Sequence, residues 1–275
     1  MNQFRSSGIP GLMPVVRNLI IINVLFFIAT IGASFLGQGG IDLSDYLGLH
    51  YWGSDKFQPY QFITYMFMHG GFGHIFFNMF AVWMFGNALE QVWGPKRFLT
   101  YYFVTGIGAG ILHLLVLWYQ FHGLQENLNL FMTDPNPVDF EALVQNYFTG
   151  HYNPDWLSQM VQYWNANPND PAMISEASKS LNLLMQSAMS VPTVGASGAV
   201  FGILLAYGML FPNSEIYLYM IFPIKAKWFV ILYGALELYL GISNSGSDNI
   251  AHFAHLGGMI FGFILIKYWK NKQWR

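Results

Sequence analysis

A serine and a histidine in two separate apolar segments are the side chains of this sequence best suited to covalent chemistry. Ser197 lies in Gly-Ala-Ser-Gly at 195–198, where one apolar segment begins, and His255 opens His-Leu-Gly-Gly-Met-Ile-Phe-Gly at 255–262 in another. A serine hydroxyl is a poor nucleophile at neutral pH and needs an adjacent base. The pair therefore predicts acyl-transfer chemistry, provided that the fold brings the two segments side by side.

The small residues beside His255 predict how the two segments meet. At about 100° per helical residue, Gly258 and Gly262 lie near His255 around the helix, whereas His252 points about 100° away. Small residues let membrane helices approach closely, so this face can pack on the glycine face at Gly198. We expect His255 to be the base and His252 to be a supporting residue. No Asp or Glu lies at a matching depth in the same segment, so we expect a Ser–His dyad without a carboxylate.

Further polar residues lie near one end of the second apolar segment. His74 and Asn78 are four residues apart and so share one helix face. An acyl transfer needs hydrogen-bond donors for its oxyanion, and these two side chains could act together with the backbone N–H of Ser197. His69 precedes a Gly-Gly pair and is expected to cap the helix. The alternative is that these residues only form hydrogen bonds between helices.

The composition is that of a membrane protein. The chain is 54% hydrophobic and only 9% charged, whereas about 25% charged residues are usual in soluble domains. The formal net charge of −2 gives no basis for a nucleic-acid partner. The chain has no cysteine, which excludes disulfides and thiolate metal sites. We expect no cofactor and no metal ion.

The apolar segments predict six crossings of a lipid bilayer. They fall at 15–37, 62–93, 97–121, 197–211, 226–243 and 251–269. The fourth is short for a span of about 20 residues, which indicates that it begins below the membrane surface in a water-filled cavity. Ten of the twelve Lys and Arg residues flank one set of segment ends, which predicts cytoplasmic termini. The first segment is predicted to be a retained helix, not a signal peptide.

Residues 122–190 interrupt this pattern with a long polar stretch. Pro137, Pro154 and Pro171 each precede residues with helical spacing, and proline suits the first turn of a helix. We therefore expect a helical insert on the extracytoplasmic side, with a role in substrate access. The predicted fold class is an all-α polytopic membrane protein, residues 1–275 forming one domain that contains this insert.

Four motifs together resemble the rhomboid family of intramembrane serine proteases. They are HGGFGHIFFNM at 69–79, GNALEQVWG at 86–94, GASGAVFG at 195–202 and AHFAHLGGMIFG at 251–262. The resemblance implies a bundle of six transmembrane helices and a serine endopeptidase that cleaves transmembrane segments of membrane proteins. It implies that Ser197 is the nucleophile, His255 the base, and His74 and Asn78 the oxyanion donors. Glu90 matches a structural position of the family.

Two features depart from the family pattern. Gln61 occupies a place in the first outer loop where the family often has arginine, and the basic six-helix core has no insert like 122–190.

A bacterial plasma membrane is the expected location.

Three other functions remain possible from the sequence. One is a catalytically silent rhomboid-like protein that binds transmembrane clients. Another is a metal-dependent intramembrane hydrolase that uses His69, His74, His252 and His255, although the chain lacks an HExxH motif. A transporter is the third, although the sequence shows no inverted repeat.

Overall fold

A computed structural model describes residues 11–36, 40–168, 170–218, 222–243 and 252–273 of this chain. The described part is mainly helical, which confirms the predicted fold class. The α-helices are α1 (Pro14–Ser34), α2 (Leu43–Leu47), α3 (Gln61–Thr64), α4 (Phe72–Ala81), α5 (Asn87–Trp93), α6 (Pro95–Thr133), α7 (Pro137–Tyr147), α8 (Pro154–Ala166), α9 (Pro171–Met189), α10 (Ser197–Leu210), α11 (Ala226–Ser243) and α12 (His252–Gln273). A 3-10 turn, Tyr65–Phe67, follows α3, and a π-helical turn, Val82–Gly86, joins α4 to α5.

Four helical stretches are long and apolar enough to cross a membrane. They are α1, the continuous stretch Phe72–Trp93, α6 and α11. The chain is therefore a multi-pass membrane protein. The other two expected spans are α10, which has 14 residues, and α12, which has 22. The count of six crossings stays a prediction, because α10 is short and α12 ends in a lysine-rich turn.

Close packing of α10 against α6 and α12 forms the centre of the bundle. A side chain at Gly258 of α12 would run into the backbone carbonyl of Gly198 on α10. The predicted contact between these two glycine faces is thus present. Gly262 instead faces α6, where a Cβ atom would meet Tyr101 and Thr105.

Glu90 fixes the start of α1 to α5. Its carboxylate oxygens accept hydrogen bonds from the backbone N–H groups of Val15 at 3.0 Å and Val16 at 2.9 Å. The side-chain oxygen of Asn87 accepts the N–H of Met13 at 2.9 Å. The first N–H groups of a helix have no partner within it and carry partial positive charge. A buried carboxylate satisfies both needs, which gives the expected structural role of Glu90 a physical basis.

The chain also forms a small hairpin that the all-α expectation does not include. Strands β1 (Glu215–Leu218) and β2 (Phe222–Lys225) pair antiparallel between α10 and α11. β-Branched and aromatic residues favour strands, and Ile216, Tyr217 and Phe222 are of these types. Pro223 has no N–H to donate and is tolerated because a two-stranded sheet has only edge strands.

The insert is a helical unit with its own apolar core. Pro137, Pro154 and Pro171 each begin a helix, as predicted. The expected end of the third apolar helix at 121 is wrong, because α6 continues to Thr133. The extension continues because its apolar residues pack on α7, α8 and α9. This second core contains Leu124, Leu128, Phe131, Phe140, Leu143, Val144, Phe148, Leu157, Met160, Trp164, Ala177 and Leu181.

The contact at Gly258 gives a test of the central packing. We expect Gly258→Ala to lower the stability of the folded protein by about 1–3 kcal/mol, because the added methyl group forces α12 away from α10. The control is Gly123→Ala on α6, where a Cβ atom meets nothing within 4 Å. Thermal unfolding in detergent should show a lower midpoint for the first variant only. Equal midpoints would contradict the close approach of α10 and α12.

Candidate active site

The backbone before α10 holds Ser197 at a fixed place. Thr193 and Leu49 exchange backbone hydrogen bonds of 2.9 and 2.8 Å, and the N–H of Gly195 donates to the carbonyl of Tyr65 at 2.9 Å. Gly195 has φ +127°, a conformation that residues with side chains rarely adopt. Ser197 is then the first residue of α10, so its N–H has no acceptor within the helix.

His255 reaches Ser197 across the contact between α12 and α10. Its Nε2 lies 2.9 Å from Oγ of Ser197, within hydrogen-bond distance. Phe201, one turn after Ser197 on α10, stacks on the imidazole with ring centroids 4.2 Å apart and planes 5° apart. The structure therefore brings the predicted nucleophile and base together and holds the base on one face.

Glu237 of α11 supplies a carboxylate that the sequence analysis missed. Its Oε2 lies 2.7 Å from Nδ1 of His255 and 2.8 Å from Nδ1 of His252. All three side chains are buried. The expected dyad without a carboxylate is therefore wrong in this geometry. The carboxylate comes from the neighbouring helix and not from the helix that carries the base.

The sequence does contain a signal for Glu237. It is the only acidic residue in the apolar segment 226–243. A charged side chain within a membrane segment is costly and usually functional. A search for buried carboxylates over all apolar segments, and not over the His255 segment alone, would have found it.

His74 lines the space next to Ser197. A Cβ atom placed on Gly195 would lie 2.7 Å from Nε2 of His74 and 3.6 Å from Oγ of Ser197, so both groups adjoin the same point. The backbone N–H of Gly70 points at Nδ1 of His74 over a long 3.4 Å. With Nδ1 as acceptor, a neutral ring carries its proton on Nε2. That N–H is then a donor on the Ser197 side.

Asn78 lies one helical turn after His74 on α4, which packs against α10. The side chain is 6% exposed, and its Nδ2 has no hydrogen-bond partner among the described residues. Buried polar groups are normally paired, so a buried donor without a partner calls for an explanation. An acceptor that is present only during a reaction, such as an oxyanion, would explain it.

The other predicted site residues lie outside the contact between Ser197 and His255. His69 is buried and its ring packs edge-on against His74, with centroids 5.0 Å apart. It does not cap α4 as expected, because Gly71 occupies the N-cap position. His252 contacts Glu237 and not Ser197, in agreement with a supporting role. Glu90 is at the α1–α5 contact.

The described residues do not bring the four histidines of the metal hypothesis into one cluster. Their single group of three potential metal ligands is Glu237, His252 and His255, whose donor atoms lie within 4.8 Å of one another. His69 and His74 are not part of it. The geometry therefore does not favour the metal hypothesis in the form in which the sequence suggested it.

Gln61 organises the loop between α2 and α3 by hydrogen bonds. It is 1% exposed. Its Oε1 accepts from the N–H groups of His50 and Gln58, and its Nε2 donates to the carbonyls of Tyr46 and Lys56. A neutral amide thus gathers four backbone groups at the place where the family often has arginine.

The sequence is similar to known proteins of one family. The family model of the Rhomboid domain matches residues 56–123 and 172–271, more than half of the chain. An uncharacterized mitochondrial rhomboid protein of Schizosaccharomyces pombe is 27% identical over 218 residues, which cover 77% of this chain and 52% of that protein. Rhomboid protein 1, mitochondrial, of Saccharomyces cerevisiae is 24% identical over 200 residues, 72% of this chain and 38% of that protein.

A shorter match concerns a protein named as a protease. The rhomboid protease GluP of Bacillus subtilis is 36% identical over 52 residues, 19% of this chain and 10% of that protein. The chain spans about half, or less, of the length of these curated relatives. The stretch between the two matched segments, 124–171, falls inside the predicted insert. With a Rhomboid domain match over both halves of the bundle, the chain belongs to the rhomboid family.

Proposed function

We propose that this protein is an intramembrane serine endopeptidase that cleaves transmembrane segments of other membrane proteins. The observation that carries the proposal is the distance of 2.9 Å between Oγ of Ser197 and Nε2 of His255. Nucleophile and base within hydrogen-bond reach are what nucleophilic catalysis requires. A catalytically silent rhomboid-like binder would not need this pair, so the geometry favours the enzyme.

The first half of the reaction forms an ester on Ser197. Oγ of Ser197 bonds to the scissile carbonyl carbon while its proton passes to Nε2 of His255, and the carbonyl oxygen becomes an oxyanion. The carbon–nitrogen bond then breaks, and the proton on Nε2 moves to the leaving amine. The N-terminal part of the substrate remains attached to Ser197.

Water completes the reaction by the same proton path. A water molecule gives its proton to His255 and bonds to the ester carbon. The bond to Oγ then breaks, and the proton returns to Ser197. Because hydrolysis needs water, the short α10 fits the proposal: its first residue, Ser197, would sit below the membrane surface in a wet cavity.

The oxyanion donors in this proposal are three N–H groups around Ser197. They are the backbone N–H of Ser197, the Nε2–H of His74 and the Nδ2 of Asn78. Donors fixed before the reaction stabilise developing charge without reorganisation. The position of His74 beside Gly195 and the unpartnered buried amide of Asn78 support these roles.

The membrane topology is also a proposal. Lysines at the beginning of α6 and α11 and at the end of α12 favour the cytoplasmic side for those ends. The active site and the insert then lie toward the opposite side. Relatives that match most of the chain carry "mitochondrial" in their names, so the expected bacterial plasma membrane has no support from them.

The insert is proposed to control substrate access. The apolar side chains of its own core, among them the fully buried Trp164, are packed inside the insert and are not free to lie in the bilayer. The insert joins the bundle next to the active site, since α9 ends at Met189 and the approach to Ser197 follows directly. A compact unit at this place would meet the soluble part of a substrate first.

Removal of the nucleophile or the base tests the proposed function. We expect Ser197→Ala and His255→Ala each to reduce cleavage of a model transmembrane substrate by at least about 10³-fold, because the reaction needs both groups. His252→Ala is the matched control and should retain much more activity, since His252 does not contact Ser197. The measurement is the rate of substrate cleavage in detergent, and thermal unfolding shows that each variant is folded. Full activity in either of the first two variants would refute the assignment.

Removal of single oxyanion donors should slow the enzyme without stopping it. Loss of one donor typically costs about 10²–10³ in turnover, so His74→Ala and Asn78→Ala should fall in or below that range. The control is His122→Ala, on an exposed part of α6. Turnover numbers with a saturating substrate provide the measurement. Wild-type turnover in both donor variants would leave the two residues with packing roles only.

Replacement of the insert tests its role in access. Residues 125–185 contain almost all of the second core, so a short Gly/Ser linker in their place removes the unit as a whole. We expect changed selection among substrates with different soluble domains. Substrates without such domains serve as the control and should be cleaved as before. Unaltered cleavage over the whole panel would show that the insert has no role in access.

A further inference from the structure

The carboxylate of Glu237 lies behind the base, on the side of the imidazole away from Ser197. Its Oε2 is 2.7 Å from Nδ1 of His255, while Nε2 of the same ring is 2.9 Å from Oγ of Ser197. We propose that Glu237 is a positioning residue that fixes the orientation and the tautomer of His255, so that the enzyme works with Ser197, His255 and Glu237. The inference rests on the proposed serine endopeptidase function.

The burial of Glu237 supports a specific role. The residue is 5% exposed and stands in an apolar helix. Taking a carboxylate out of water costs several kcal/mol unless hydrogen bonds compensate for it. Here the two compensating groups are His252 and His255, one turn apart on α12. A carboxylate needed only for packing would be replaced by an apolar side chain at lower cost.

The tautomer of His255 follows from what a carboxylate can do. An ionised carboxylate only accepts hydrogen bonds, so the contact with Oε2 requires the proton of His255 on Nδ1. In the neutral ring Nε2 then has a lone pair, and this lone pair faces the hydroxyl of Ser197. The opposite tautomer would place an N–H against Oγ and could not accept the proton of Ser197.

Glu237 also stabilises the charged state of the base. When Oγ of Ser197 bonds to the substrate carbon, its proton moves to Nε2 and His255 becomes an imidazolium. The Nδ1 proton stays on His255, and its hydrogen bond to Glu237 becomes charge-assisted and stronger. Glu237 itself takes up no proton. Its negative charge therefore favours the transition state more than the resting state.

His252 and Phe201 also help to fix the imidazole of His255 in position. The Nδ1 of His252 lies 2.8 Å from the same Oε2 atom and so also holds the carboxylate in place. Phe201 covers one face of the His255 ring, and Tyr233, one turn before Glu237 on α11, packs against Phe201 with centroids 4.9 Å apart. The ring of His255 is thus restrained on one face and at both nitrogens.

The test compares two buried glutamates. Glu237→Gln keeps the shape of the side chain but removes its charge. We expect kcat to fall by about 10²–10⁴-fold with little change in KM, because replacing the carboxylate behind a catalytic histidine by an amide can lower kcat by about 10⁴-fold. Glu90→Gln is the matched control: Glu90 is also buried but serves the start of α1. It should lower thermal stability and leave kcat of the folded enzyme near the wild-type value.

A second readout does not depend on activity. In ¹⁵N-histidine-labelled protein, imidazole protons held by a carboxylate resonate far downfield in the proton NMR spectrum. We expect such a signal from Nδ1–H of His255, identified by its absence in His255→Ala and its presence in His252→Ala. It should be lost or move upfield in Glu237→Gln and remain unchanged in Glu90→Gln.

The outcomes separate this inference from the proposed function. If the wild-type protein cleaves no substrate and Ser197 is unreactive, the proposed function fails, while the NMR comparison still tests the hydrogen bond. If the wild-type protein is active and Glu237→Gln has the same kcat, the positioning role is overturned. It is also overturned if chelation abolishes activity and zinc restores it, since Glu237, His252 and His255 would then hold an ion.

Discussion

The close approach of α10 and α12 is the constraint on which the active site depends. Where Gly198 meets Gly258, there is no room for a side chain between the two helices. Ser197 precedes the first glycine directly, and His255 lies one turn before the second. Residues next to such a contact are held at short range, and this is why a serine and a histidine 58 positions apart in the sequence share a hydrogen bond of 2.9 Å.

The same packing explains how polar groups in the interior of the helix bundle find hydrogen-bond partners. An apolar environment leaves few partners for a buried polar group, so each must find one inside the protein. Glu237 accepts hydrogen bonds from two histidines, and Glu90 accepts hydrogen bonds from N–H groups at the start of α1. Tyr101 donates to the carbonyl of Gly202 at 2.8 Å. Some buried groups have no such partner among the described residues, and near Ser197 these are the Nδ2 of Asn78 and both ring nitrogens of His69. Some buried polar groups thus hold helices together, and others lie at the candidate active site.

Much of this arrangement is predictable from local patterns. Periodic small residues around His255 correctly predict its contact with the Ser197 helix, and the three prolines correctly predict where α7, α8 and α9 begin. The extension of α6 is not predictable from its own polarity, because the apolar partners that stabilise it belong to α7, α8 and α9, which follow it in the chain. Glu237 is similarly hidden, because its partners lie on another helix and only the fold brings them together.

The central claim is that His255 activates Ser197 as a nucleophile, and labelling with a fluorophosphonate probe tests it most directly. Such a probe reacts with activated serine hydroxyls and leaves a stable adduct that peptide mapping can locate. We expect a single adduct on the peptide that contains Ser197 in the wild-type protein, and no adduct at that position in His255→Ala. An unmodified Ser197 in folded wild-type protein, or equal labelling without His255, would contradict the claim.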